Sequence, residues 1–508
     1  MEVVQEIKDY ATQQIIKKII SLLGKVSDSR LVQMTYLGEK LSFDPEVKKS
    51  IQKIRFFLQN GHPAKDLVYR VLNYLRYENQ VKLFYTLFNN CWFFGGKKRG
   101  AFEREHGYRP PFIMILSPTM RCNLRCKGCY TLGYGLKPEL EFDLVDRILH
   151  ECEELGIYFV TILGGEPLLY PHLFDMIEGH PDIFFQIYTN GTLMTKEKAQ
   201  RFADLGNLAV VISIEGDEEE TDRWRGKGVY KKIMEAFEHL RNAQVLIGTS
   251  ATVTSENVEV VSSFEFIDKM IDHGSIAQMY FLYIPVNGQA DLSLMVTPEQ
   301  RDLLRKQVIA TRNTKPIFVL DFWNDGPYVQ GCIAGGRRYF HVNAKGDVEP
   351  CVYTHIAVDN IRHTTLAEAL NSKLFQAVRA RQPHNENHLR PCMIIDNPHV
   401  MRELIAETKP EFTHPGAEEI YTEKKELMDA YANRWSQLAD KVWKEEYVNN
   451  RPITLTKTDE GSLMQSQRGV VAGFEKIEDE GLQIAHRDNE AQNNKKALKI
   501  KNHLFPEP

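Results

Sequence analysis

Nowhere in the 508 residues does an apolar run reach the roughly 20 residues that a bilayer-spanning helix needs. The opening Met1-Glu-Val-Val-Gln-Glu6 also lacks the basic start and apolar centre of a signal peptide. A cytoplasmic location is the expectation. There is no phosphate-binding P-loop and no internal repeat. No interleaved basic and aromatic pattern suggests a nucleic-acid partner, and none is expected. Cysteine is scarce, eight in the whole chain, and a reducing cytosol makes disulfides a poor reading of them. Clustered thiols there are better read as metal ligands. Cys152 lies in a helix-like segment and Cys91 in an aromatic one, so both read as small buried hydrophobes. Six remain, in two sets of three: Cys122, Cys126, Cys129 and Cys332, Cys351, Cys392.

What is present is an ordinary globular composition, 43% apolar and 26% charged with a net charge of −5. The length allows two or three domains. Residues 1–109 read as a helical region, with Ile7, Tyr10, Ala11, Ile15, Ile19 and Leu22 at helical spacing. Residues 1–110 hold 19 Lys and Arg against 11 Asp and Glu, a local +8. The basic, aromatic Val81–Arg99 stretch has two readings. It is an interfacial helix or apolar groove, which leaves peripheral membrane contact open, or it packs an aromatic face on the next domain. The second is favoured.

From Pro110 the pattern alternates. Apolar runs at Phe112–Ser117, Tyr158–Leu163, Phe184–Tyr188, Leu208–Ile214, Leu246–Val253 and Gln278–Ile284 read as strands. Helical segments at Leu144–Leu155, Lys196–Leu205, Lys231–Leu240 and Pro298–Thr311 separate them. The fold class is α/β. A partial (β/α)6 barrel is expected over residues 110–315, with chemistry at the carboxyl ends of its strands. Those ends carry the first three thiols, then Gly164-Gly165-Glu166-Pro167, Thr189-Asn190-Gly-Thr192, Ser213-Ile-Glu215-Gly, and Thr252 with Thr254. Three thiolates can hold three irons of a cubane and leave the fourth iron open. A zinc site is the alternative, although no fourth ligand follows close behind Cys129.

The stretch from Cys122 to Cys129, followed in order by these motifs, resembles the radical S-adenosylmethionine (SAM) superfamily. The resemblance implies that Cys122, Cys126 and Cys129 hold a [4Fe–4S] cluster. It implies that Gly164-Gly165-Glu166-Pro167 meets the methionine amino group of SAM. Asn190 and Thr252 join the cofactor set, Ser213 and Glu215 match positions facing the ribose, and Arg225 pairs with the methionine carboxylate. Many relatives have Asp where Glu215 stands. The implied chemistry is reductive cleavage of SAM to a 5′-deoxyadenosyl radical that takes a hydrogen atom from substrate. A reduced donor such as flavodoxin or ferredoxin would supply the electron.

Residues 316–400 resemble the SPASM or twitch extension, a small α+β region that holds auxiliary clusters. The full pattern has seven cysteines and this stretch has three, so at most one auxiliary [4Fe–4S] cluster is expected, with an open iron or a non-Cys ligand such as Asp396. A helical stretch, Leu366–Val378, lies between its thiols. A hairpin without metal is the bland alternative. Asp321 and Asp325 are candidate proton acceptors, set against the simpler reading of loop carboxylates in water. Helices are expected at Val400–Glu407 and Glu419–Tyr447, within residues 401–454, and a disordered tail over 455–508. Function then divides three ways: maturation of a peptide or cofactor, modification of a lipid or isoprenoid at a membrane surface, or a non-catalytic iron–sulfur scaffold.

Overall fold

The computed structural model describes residues 28–41, 45–133, 138–286 and 291–449. The helical repeat from Ile7 to Leu22 and the expected tail lie outside the described residues. The described residues up to Ser436 form one compact unit. Beyond it, the described residues finish the helix Lys425–Val442 and a π-helical segment, Trp443–Val448. Among the described residues, no helix is long and apolar enough to cross a membrane.

The unit is built on a nine-stranded sheet. In chain order its strands are β1 (Ile113–Leu116), β2 (Phe159–Ile162), β3 (Phe184–Thr189), β4 (Leu208–Ser213), β5 (Leu246–Val253), β6 (Ala277–Leu282), β7 (Phe318–Asp321), β8 (Tyr339–Val342) and β9 (Val348–Glu349). They stand in the order β7-β6-β5-β4-β3-β2-β1-β8-β9. The pairings from β7 through β1 to β8 are parallel, and β8–β9 is an antiparallel hairpin.

Alternation along the strands divides the two faces. Ile115, Thr161 and Gln186 stand level on β1, β2 and β3, as do Ser213 and Ser250 on β4 and β5, and all five line the central cavity. The intervening Met114, Val160, Phe185 and Val210 are fully buried on the other face. Helices cover that face. Phe142–Leu155, for example, buries Val145, Ile148, Leu149 and Cys152 at helical spacing.

All six expected strands are present, and three more join them. β7 extends the sheet past β6, and β8 pairs parallel with β1, Ile113 opposite Tyr339. The hairpin expected in a separate extension thus continues the barrel sheet. The physical gain is that β1 is no longer an edge with unpaired backbone groups. Leu366–Val378 is two helices, Leu366–Leu370 and Lys373–Ala380, because Ser372 caps the second. The expected Glu419–Tyr447 helix starts at Lys425 instead, after a 3-10 turn, Ala417–Ile420.

The Val81–Arg99 stretch meets its favoured reading in part. Its middle, Phe84–Phe94, is π-helical. It docks through both kinds of contact: Trp92 meets Phe112 at 5.5 Å and Phe94 meets Tyr158 at 5.9 Å, while Asn90 Nδ2 donates to Asp182 O (2.9 Å), Cys91 Sγ to Tyr158 O (3.2 Å), and buried Arg99 to Gly156 O. Phe88, Trp92 and Phe93 stay exposed, so the aromatic face is split rather than buried. Cys91 and Cys152 are both fully buried.

Candidate active site

A cavity of about 660 Å³ opens at the carboxyl ends of the strands. All six clustered cysteines line it, none of them in a disulfide. Local sequence could not reveal this convergence. It follows from β8 lying beside β1, which carries the hairpin thiol Cys351 towards the first thiol loop.

The first loop is held by backbone contacts from its neighbours. Gly165 N donates to Thr119 O (2.9 Å) and Glu166 N to Arg121 O (2.8 Å), so the β2 loop lies directly on the thiol loop. A Cβ at Gly165 would stand 2.2 Å from Arg121 O, which explains why no side chain fits there. Lys127 N donates to Trp224 O (2.8 Å), tying the loop to the helix Glu218–Arg225. Gly128, between two of the thiols, has φ +68° and packs under Trp224 and Tyr283. Its place inside the thiol motif was a signal the sequence reading did not use. Burial pushes the Cys122 thiol up and the Cys126 thiol up to about 12, Arg225 opposing in both. Buried thiols of this kind become thiolates when a metal cation is there to neutralise them.

Of the expected cofactor set, Gly164, Gly165, Asn190, Ser213, Arg225 and Thr252 line the cavity. Glu166, Pro167 and Glu215 lie behind its wall. Glu166 is fully buried, with Oε1 accepting from Leu168 N (3.0 Å) and Thr189 Oγ1 (2.7 Å), and Oε2 from Asn190 N (2.8 Å). Burial raises its pKa against the pull of those donors. Three of roughly four acceptor positions are filled, so the carboxylate joins the β2 and β3 loops and keeps one position for a further donor. Pro167 opens the short 3-10 turn that follows. Asn190 then reaches the thiol loop, Nδ2 donating to Asn123 Oδ1 (2.9 Å).

Glu215 is also buried behind the cavity wall. Its carboxylate accepts from Arg225 Nη2 (2.7 Å) and Nε in a buried, two-pronged pair. Burial works against the arginine charge, but Glu215 and the nearby Cys126 sulfur hold its pKa above the usual range.

The second trio is braced differently. Tyr339, on β8, puts its hydroxyl 2.9 Å from Cys351 Sγ. Burial drives Cys351 to about 12 and raises Cys332 and Cys392 too. Tyr130, next to Cys129, meets Tyr353 edge-on at 5.6 Å, so the two thiol loops touch through aromatic rings. Asp396, the expected non-Cys ligand, is already committed. Its Oδ1 accepts from Arg301 Nη1 (2.6 Å), and its Oδ2 from Arg301 Nη2 (3.2 Å) and from Cys392 N (3.0 Å). It positions Cys392 instead of competing with it.

Asp321 fits neither expected reading. It is fully buried, not in water, and it does not line the cavity; Asn324 donates to both its oxygens. Burial, then the charge of Asp325, lifts its pKa from the ordinary 3.8 to about 6. An acid raised on folding favours the folded state in its protonated form. That contribution is fully present below the unfolded value and is lost as pH rises through the folded one. The melting temperature of Asp321→Asn minus that of wild type should therefore climb from about pH 5 to about pH 7. A flat difference would mean that Asp321 is ionised throughout.

Two family models match this chain. Residues 116–267 match the radical SAM superfamily, and residues 332–393 match the SPASM iron–sulfur cluster-binding domain. An AdoMet-dependent heme synthase of Methanosarcina barkeri is 27% identical over 301 residues, 53% of this chain and 85% of that protein. The PqqA peptide cyclase of Bradyrhizobium diazoefficiens is 27% identical over 255 residues, 47% of this chain and 66% of that protein. A crystal structure of Streptococcus suis SuiB bound to S-adenosylmethionine aligns with a TM-score of 0.49 at 19% identity, covering 57% of this chain and 73% of that one. The parallel sheet, the thiol-lined cavity and the two matches define an enzyme that works through an iron–sulfur cluster and SAM. Residues 116–267 thus carry a radical SAM domain and residues 332–393 a SPASM domain, a pairing that favours catalysis over the scaffold alternative.

Proposed function

We propose that the chain uses a SAM-derived radical to take a hydrogen atom from a peptide or a small cofactor precursor. The observation that carries this reading is the single cavity shared by both thiol trios, walled by Tyr130, Tyr188, Phe281, Tyr283 and Tyr353. Its volume of about 660 Å³ is that of a pocket for one drug-sized ligand. The names of the relatives, heme synthesis and peptide cyclisation, support maturation as the class.

In this reading Cys122, Cys126 and Cys129 hold the SAM-binding [4Fe–4S] cluster, and Cys332, Cys351 and Cys392 hold an auxiliary one. A cluster held there would supply the electron for reductive cleavage of SAM, with a reduced protein such as flavodoxin or ferredoxin as its donor. The chain's own residues bind and shield. Ser213 and Thr252 offer hydroxyls on the ribose side. Arg225 has Nε and Nη2 committed to Glu215 and keeps Nη1 for the methionine carboxylate. The aromatic wall excludes water, which would otherwise compete for the site. A cytoplasmic location suits the reducing chemistry.

Arg225→Ala should weaken SAM binding by roughly ten- to a hundredfold, the worth of a charged hydrogen bond, with iron content unchanged. Equilibrium dialysis of the reconstituted protein reads it, and unaltered affinity would remove Arg225 from the SAM site. The substrate class is tested with extracts of cells grown in deuterated medium. Reaction with the aqueous peptide and small-molecule fraction should place deuterium in 5′-deoxyadenosine, and reaction with the lipid fraction should not.

The reverse result would favour lipid modification at a membrane surface. That second reading rests on Phe88, Trp92 and Phe93, exposed beside Lys97 in the region of net positive charge. Liposome binding that falls with added salt would support it.

A further inference from the structure

The outer layer of the barrel carries another convergence of metal-binding side chains, none of which lines the cysteine cavity. Asp146 and His150 stand one turn apart on the helix Phe142–Leu155 and so share a face. His180 arrives beside them from the end of the helix Leu173–Gly179, just before β3. One ligand atom from each residue lies within 4.8 Å of the other two.

The finer distances matter more. His180 Nε2 is 3.3 Å from Asp146 Oδ1, and His150 Nδ1 is 3.4 Å from Asp146 Oδ2. In a tetrahedral zinc site with bonds of about 2.0–2.1 Å, neighbouring donors are separated by roughly 3.3–3.4 Å. The His180–Asp146 edge already has that length, while His150 approaches the other carboxylate oxygen and shares its Nδ1 with the Asp146 carbonyl (2.9 Å), a contact that an ion would replace. The far nitrogen of His180, Nδ1, lies 3.7 Å from Glu153 Oε1. A carboxylate behind a ligating imidazole is the usual support that fixes its orientation, and Glu153 stands near that place without a hydrogen bond to the ring. His180 is buried, and its ring meets that of His150 edge-on at 4.8 Å. Two imidazoles converging on one carboxylate, with a second carboxylate behind, is more than a lone His–Asp pair provides. Mixed imidazole and carboxylate donors suit zinc better than calcium or magnesium.

We propose that Asp146, His150 and His180 form a binding site for one zinc ion, with its fourth position open to water. The ion clamps the helix after the first thiol loop to the segment leading into β3.

The test uses full-length protein, anaerobically reconstituted so that the thiols carry iron. It is equilibrated with Zn²⁺ and desalted, and zinc, iron and sulfide are counted for wild type, His150→Ala and Asp146→Asn. Wild type should retain about one zinc per chain with its iron unchanged, and each variant should bind at least about tenfold more weakly. Zinc should also raise the melting temperature of wild type and not of the variants. His150 is exposed, so its loss leaves the fold intact. Failure of wild type to hold zinc, or equal retention by His150→Ala, overturns the site. So does zinc taken up only as iron is lost, because that ion would be on the thiols.

Discussion

The triple variant Cys122→Ala/Cys126→Ala/Cys129→Ala is expected to form no 5′-deoxyadenosine above background while keeping roughly half of the wild-type iron. The first part follows from the loop after β1 being the one thiol set that faces the Gly164-Gly165 segment and Arg225. The second follows from separate bracing of the other set. Cys332 O accepts from Arg337 Nε (2.7 Å), Cys351 Sγ has the Tyr339 hydroxyl, and Cys392 N donates to Asp396. None of these partners belongs to the first loop. Anaerobic reconstitution with iron and sulfide, then dithionite and SAM, provides the assay, with iron counted on the same samples. Retained deoxyadenosine would remove these thiols from the SAM-cleaving site. Loss of all iron would mean that the two trios assemble as one, through contacts such as that of Tyr130 with Tyr353.

Six barrel strands were legible because strands buried on both faces of a parallel sheet are nearly continuous apolar runs. Ile113 to Leu116 and Leu208 to Ile212 are plain examples. β7 is only Phe318–Asp321, too short a run to stand out, and it lies at the start of the 316–400 region. β8 is legible as half of a hairpin, but its parallel partner β1 lies more than two hundred residues earlier. No local pattern carries that pairing. The thiols were legible by spacing alone. The carboxylates were not, because the identity of an acid does not say which donor will claim it. Glu166 went to backbone N–H groups and a threonine, Glu215 to Arg225, and Asp396 to Arg301. Each choice was settled by which donors the fold had already buried nearby.

The Arg301–Asp396 pair carries the second large effect. Both side chains are fully buried. Arg301 also donates through Nε to Asn324 Oδ1 (3.1 Å) and through Nη2 to Leu389 O (3.2 Å), and its guanidinium lies 4.3 Å over the Trp435 ring. Trp435 Nε1 donates to the same Leu389 carbonyl (3.0 Å). Arg301→Ala leaves a buried carboxylate without its cation, which should cost about 3–5 kcal/mol of stability. Replacing both partners by apolar residues, Arg301→Met with Asp396→Leu, should recover most of that loss, since no charge is then left stranded. It should not recover the auxiliary iron, because Cys392 N loses its acceptor and the Cys392 thiol its fixed position. Asp396→Asn keeps an oxygen for Cys392 N and should hold more iron than the double variant while melting lower. Denaturant unfolding and iron counts on these three variants separate the two roles of Asp396. If iron tracks stability across the series, the pair acts on the cluster through the fold alone. If the double variant is stable and iron-poor, Asp396 positions Cys392 directly.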